Sequence, residues 1–178
     1  MEIVVRHEAR VLIGDYPFSD SLNKEVLSLL ESGSYENIGH TNVKGSIHTE
    51  WHWGPDNIKF RNLQGYVQEE IERAFKPGMM RTNRDPLRLH NFWGNVYEKG
   101  DYADSHDHKP NHYSFAYFAK AKWYHAPLVF TDSGKRIRPK EGRFVAFPAY
   151  LLHHVPKHRY NDTRITLSGN LVLDRTTL

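Results

Sequence analysis

Three segments in the second half of this 178-residue chain carry residue types and spacings that suit a metal centre. The first is Ser105-His106-Asp107-His108-Lys109-Pro110, just after a turn at Gly100-Asp101. In an extended chain successive side chains alternate, so His106 and His108 share a face and Asp107 points away. Two imidazoles two residues apart form a chelating pair. The second segment, Phe147-Pro148-Ala149-Tyr150-Leu151-Leu152-His153-His154-Val155, adds a third histidine from either of two adjacent positions, and spacing does not choose between them. Histidine is the commonest metal ligand and titrates near neutrality, and twelve histidines is many for a chain of this length.

The third segment is Arg164-Ile165-Thr166-Leu167-Ser168-Gly169-Asn170. Read with period two, Arg164, Thr166, Ser168 and Asn170 line one face, while Ile165, Leu167 and Leu171 line the other. Such a polar row looks either to water or into a polar cavity, and the pattern leaves both open. In a cavity, an arginine beside a hydroxyl suits a carboxylate, with a planar fork of donors plus one further hydrogen bond.

These segments need elements to hold them. The first third carries helical signals. Asp20 caps SLNKEVLSLLESG, where Leu22, Val26, Leu29 and Leu30 form one apolar stripe and Gly33 ends it. A second helix fits about Asn57 to Lys76, with Phe60, Leu63, Val67, Ile71, Ala74 and Phe75 at spacings of three and four and a stop at Pro77-Gly78. From about Leu87 the period becomes that of strands: LRLHNFWGNVY, SFAYFAKA, PLVF, GRFVAFP and RITLSGNLVL, separated by turns. Helices followed by short strands predict a sandwich or barrel buttressed on one face.

Composition narrows the class. Aromatics are 13% and charged residues 25%, as in a globular protein, and the formal charge of +3 is too diffuse to argue for nucleic acid. With no cysteine, disulfides, thiolate metal sites and cysteine nucleophiles are excluded. The N-terminal run is broken by Arg6, His7, Glu8 and Arg10, and no stretch approaches the roughly 20 apolar residues of a membrane span. The length and the absence of linkers or repeats predict a single domain over residues 1–178, and the absence of cysteine suits a cytoplasmic location.

In this order, NVYEKGDYADSHDH, SFAYF, LVFTD, EGRFVAFPAYLLHHV and RITLSGN resemble the 2-oxoglutarate/Fe(II)-dependent oxygenase superfamily, closest to its small phage and bacterial members. The likeness covers about Leu87 to Leu173. It implies a mainly β fold with N-terminal helices, a double-stranded β-helix (a cupin-like jelly roll). A helical support would occupy about 1–80 and the catalytic jelly-roll core about 87–173. It implies Fe(II) as cofactor, 2-oxoglutarate as co-substrate, O₂ as oxidant, and hydroxylation of a further substrate. His106, His108 and His153 would be the catalytic metal ligands, His153 being preferred to His154 by its place after F-P-x-x-L-L. Arg164 would bind the distal carboxylate of 2-oxoglutarate with Thr166 or Ser168, beside Asn95, Tyr97 and Tyr117. If the gene is phage-encoded, the compartment is the host cytoplasm.

One departure matters. The superfamily's usual triad is two histidines and a carboxylate, and position 108 is histidine where the carboxylate normally sits. Three neutral imidazoles leave the metal charge undiminished, which favours an anionic co-substrate and also admits Zn²⁺. Asp107 or Asp104 would be the second ligand if the segment is not a regular strand. Two rivals follow: a three-histidine metalloenzyme without oxoacid (a cupin-like dioxygenase or zinc hydrolase), and a jelly-roll binding protein without turnover. Elsewhere, Lys135, Arg136, Arg138 and Lys140 read as a solvated hairpin, and Trp51-His52-Trp53 as core packing or the rim of a substrate opening.

Overall fold

The computed structural model describes residues 8–39, 41–75 and 86–174; the expected helix stop at Pro77-Gly78, and Lys76 before it, lie outside them. Helix α1 spans Ser19–Glu31 and buries Leu22, Asn23 and Val26. Asp20, expected as its cap, lies inside the first turn, where its charge still faces the positive end of the helix dipole. Phe18 holds the N-cap position with no side-chain hydrogen bond, and Gly33, at φ +71°, takes the left-handed turn after the helix. Helix α2 spans Ile58–Phe75. The side-chain oxygen of Asn57, just outside it, accepts from the backbone N–H of Lys59 at 3.0 Å and Phe60 at 3.2 Å, which caps the first turn.

Three short strands, β1 (Leu12–Asp15), β2 (Val43–Lys44) and β3 (Ile47–His48), flank eight more. These are β4 (Leu87–Tyr97), β5 (Tyr102–His106), β6 (Tyr113–Lys120), β7 (Leu128–Phe130), β8 (Arg136–Ile137), β9 (Arg143–Pro148), β10 (His153–Val155) and β11 (Arg164–Leu173). They form two antiparallel sheets of order β1-β9-β6-β11-β4-β3 and β2-β5-β10-β7-β8. From β4 onward the chain crosses repeatedly between the sheets, so β4, β6, β9 and β11 face β5, β7, β8 and β10. That is the double-stranded β-helix expected of the sequence. The strands β4 and β11 match the predicted segments end to end, and their long register holds the six-stranded sheet together.

Each face of the six-stranded sheet has its own core. On the outer face Phe92, Val96, Phe115, Tyr117, Phe144, Ile165, Leu167 and Leu171 pack with Leu22 and Val26 of α1 and Phe60, Leu63, Val67 and Ile71 of α2. Burying each large apolar side chain contributes roughly 1.5–3 kcal/mol, so the helical stripes bind this face firmly. On the inner face Tyr97, Phe118, Val145 and Phe147 meet Ala103, Leu128, Phe130 and Val155 of the opposite sheet. Trp53 lies flat against β4, which Gly94 permits: a Cβ there would sit 2.7 Å from the indole. Trp51, by contrast, stays 40% exposed. The basic run from Lys135 to Lys140 includes the edge strand β8, with Lys135, Arg136, Arg138 and Lys140 all exposed and Lys140 paired with Asp15 at 2.6 Å. Among the described residues no helix is long and apolar enough to cross a membrane.

Candidate functional site

The period-two reading of β11 places its polar row inside the roll. Arg164 pairs across the ladder with Tyr97, Thr166 with Asn95 and Ser168 with Trp93, so six side chains form three rungs on the inner face. The helices cover the opposite face, which is why Ile165 and Leu167 alternate with the polar residues.

His106 ends β5 and stands directly opposite His153, the first residue of β10. His108 lies two residues beyond the strand end. It is held there by its backbone N–H donating to the Ala149 carbonyl at 2.8 Å and its carbonyl accepting from the Asn111 amide at 2.7 Å. The three rings converge, with centroids 5.0 Å apart for His106 and His108, 4.4 Å for His106 and His153, and 5.0 Å for His108 and His153. Each offers one nitrogen within 4.8 Å of the others.

The tautomers follow from the backbone. Nδ1 of His106 donates to the Asp104 carbonyl at 2.6 Å, and Nδ1 of His153 to the Leu151 carbonyl at 2.9 Å. Both Nε2 atoms are therefore left with bare lone pairs, an arrangement typical of ligating histidine. Nε2 of His153 lies 3.2 Å from Nε2 of His108. Two nitrogens sharing an ion at 2.0–2.1 Å, at angles between right and tetrahedral, would be about 2.9–3.4 Å apart. The donor set fits a divalent transition metal.

Electrostatics keep the triad ready to ligate. Burial pushes His108 down to about 3, with His153 and His106 adding repulsion. Burial, then the charge of His106, pushes His153 down to about 4. His106 is also lowered, by burial first. All three are neutral near pH 7. Neither neighbouring acid joins them: Asp107 turns outward to Lys109 at 2.8 Å, and Asp104 is exposed. His154 faces away from the triad, its Nδ1 3.1 Å from the Thr131 hydroxyl.

Arg164 lines the same cavity as the three histidines, together with Asn95, Tyr97, Thr166 and Ser168. It is 2% exposed, and its Nε and Nη1 have no hydrogen-bond partner among the described residues. Its guanidinium carbon sits 4.7 Å from the Tyr97 ring centre and 5.3 Å from that of Phe118. Two aromatic faces offset part of the desolvation of a buried cation but supply no counter-charge. Burial lowers its affinity for a proton, while Tyr97 acts in the opposite sense.

Tyr117 does not join this group. It lies on the outer face of β6, where its hydroxyl donates to the Asn23 side-chain oxygen at 2.7 Å, and burial raises its pKa. The side chains of residues 113, 115, 117 and 119 must share one face, and the helices occupy it. The same alternation shows what sequence reasoning passed over. Trp93 shares its face with Asn95 and Tyr97, lines the cavity, lies 5.9 Å from the His108 ring and has an unpartnered Nε1.

No family model matches the sequence, and no curated protein is significantly similar to it. Solved structures do resemble it. A viral collagen prolyl hydroxylase from Paramecium Bursaria Chlorella virus-1, in complex with 2-oxoglutarate, superposes with a TM-score of 0.68 at 15% identity, over 90% of this chain and 94% of that one. A prolyl-4-hydroxylase from Pseudomonas putida gives a TM-score of 0.69 at 14% identity, over 93% and 92%. HygX from Streptomyces hygroscopicus, with nickel and 2-oxoglutarate bound, gives 0.66 at 12% identity, over 94% and 84%. At such identities the likeness is one of architecture, and it agrees with the strand order: this chain has the double-stranded β-helix fold of the 2-oxoglutarate/Fe(II) oxygenases.

Proposed function

We propose that this chain is a non-haem iron(II) oxygenase that couples oxidative decarboxylation of 2-oxoglutarate to hydroxylation of a second substrate. One observation carries the reading: a buried guanidinium without a counter-charge lines the same cavity as three convergent neutral histidines. A buried unpaired cation is costly, and a dicarboxylate reaching the triad at one end and Arg164 at the other removes that cost. The structural neighbours with 2-oxoglutarate bound are consistent with this.

Bound iron with the oxoacid and O₂ would supply the redox chemistry: one oxygen atom goes to the oxoacid, giving succinate and CO₂, and the other to a substrate C–H bond. The protein's part is positional. His106, His108 and His153 would hold the ion through Nε2 and, all being neutral, leave its charge free to attract the oxoacid. Arg164 would take the distal carboxylate with a fork of donors, and the Thr166 or Ser168 hydroxyl would add one bond. Asn95, whose side-chain oxygen is also buried without a partner, and Tyr97 would flank the co-substrate. Phe147, Leu128 and Val155 give the cavity part of its apolar lining.

The test is succinate formation from 2-oxoglutarate by purified protein with Fe(II), ascorbate and O₂, alone and with candidate substrates. Stoichiometric metal with no decarboxylation under any of these conditions would sink the proposal. A second reading, a three-histidine enzyme without oxoacid, is favoured by the missing carboxylate ligand. It predicts that 2-oxoglutarate leaves the d–d spectrum of a Co(II)-substituted triad unchanged, whereas the oxygenase reading predicts a new spectrum lost in Arg164→Ala.

A further inference from the structure

A second group of ligand-type side chains sits in loops the proposed chemistry does not use. His125 belongs to the connection between β6 and β7, and His158 and Asp162 to that between β10 and β11. Each offers a ligand atom within 4.8 Å of the other two. The His125 and His158 ring centres are 4.7 Å apart, the spacing found within the triad. Both histidines are buried, at 3% and 1% exposure. Nε2 of His125, Nδ1 of His158 and Oδ1 of Asp162 are buried without a hydrogen-bond partner among the described residues.

We propose that His125, His158 and Asp162 form a second metal site, one that takes a borderline divalent cation of the zinc class and pins the two loops together. A half-satisfied buried polar cluster is unfavourable, and an ion would satisfy it. Asp162 divides its oxygens suitably. Oδ2 accepts from Lys122 at 2.9 Å and from the Tyr124 hydroxyl at 2.8 Å, which leaves Oδ1 for the ion. Nε2 of His125 is 3.1 Å from Oδ2 but too poorly directed for a hydrogen bond. Nε2 of His158 donates to the Asp162 backbone carbonyl at 2.7 Å, which leaves its unpartnered Nδ1 as the ligand atom, and a water would complete four ligands. Ligation through Nε2 moves the ring proton of His125 to Nδ1, which gives up only a long contact of 3.3 Å from the Lys122 N–H. Two imidazoles and one carboxylate also suit zinc better than calcium or magnesium. Lys122 lowers the net attraction, so the binding is weaker than at a site with an unpaired carboxylate.

The proposal does not depend on the oxygenase reading. Its experiment is a titration of metal-free protein with Zn²⁺, followed by bound-metal analysis, on the wild type and on His106→Ala/His153→Ala. The expected stoichiometry is two per chain in the wild type and one in the double variant. The remaining equivalent should weaken at least tenfold on adding Asp162→Asn. No equivalent bound by His106→Ala/His153→Ala, or a remaining equivalent indifferent to Asp162→Asn, overturns the proposal. Should a variant fail to fold, anomalous diffraction from zinc-soaked wild-type crystals decides: a peak between His125 and His158 supports the site, and a peak at the triad alone removes it.

Discussion

The two histidine clusters have nearly the same ring spacing and opposite electrostatic surroundings. Around His106, His108 and His153 no carboxylate joins the ligand atoms among the described residues, and the cavity they line is shared with the buried cation Arg164. Around His125 and His158 a carboxylate is in place, because Asp162 is held well below the usual carboxylate range by Lys122, then Tyr124, while the positive charge of Arg164 also bears on His125. The first cluster therefore has a deficit of negative charge that only something from outside can fill. The second carries its own carboxylate but leaves ligand atoms of His125, His158 and Asp162 unpartnered among the described residues. A cavity left short of anion is suited to receiving one repeatedly, whereas a cluster with its own carboxylate is suited to holding a cation in place.

The comparison breaks first at the triad. His153→Ala removes the residue that faces His106 across β5 and β10. Oxoacid decarboxylation should fall at least 1000-fold, with loss of one bound metal, while far-UV circular dichroism stays unchanged. Retained turnover would mean that the triad is not the reactive centre.

Arg164→Met comes next and separates binding from stability. The 2-oxoglutarate KM should rise at least 100-fold with triad metal retained. The protein without ligand should become more stable, by about 1–2 kcal/mol in urea denaturation, because an apolar chain of similar length replaces an uncompensated buried charge. A destabilised variant would show that Tyr97 and Phe118 already compensate the guanidinium.

The pH dependence of metal-free protein sharpens the contrast. His108 and His153 have folded values of about 3 and about 4 against an ordinary 6.5. Below pH 6.5 the unfolded chain takes up protons that the folded triad refuses, so stability is full above that pH and falls as acid is added, down to about pH 3–4. Each histidine contributes at most about 1.4 kcal/mol per pH unit. Denaturation midpoints at pH 7.5, 6 and 5 should fall in that order, and His108→Gln should flatten the slope. His125 is also lowered by burial, but Asp162 opposes that shift, so replacing His125 should flatten it less.

The smallest effect belongs to the outer face. Tyr117→Phe leaves the Asn23 side-chain oxygen without its donor and should cost about 1 kcal/mol. The 2-oxoglutarate KM should not change. A raised KM would place the outer face in communication with the cavity.

Much of this molecule follows from its sequence. The polar row of β11, the apolar stripes of α1 and α2, and the limits of β4 and β11 were readable because alternation and helical period are properties of a single chain segment. The resemblance then selected His153 over His154 and grouped it with His106 and His108. What local pattern could not supply was the side of a sheet that faces the helices. Tyr117 sits on a strand with large residues on both faces, so its period is silent, and only the docking of α1 against β6 decides it. Trp93 is the opposite case: its alternation with Asn95 and Tyr97 already put it on their face of β4. The second cluster was invisible because His125, His158 and Asp162 stand in irregular loops with no spacing rule, joined only when β6–β7 and β10–β11 close the same end of the roll. Sequence determined which faces exist; tertiary packing decided what each face meets, because that depends on contacts between residues far apart in the chain.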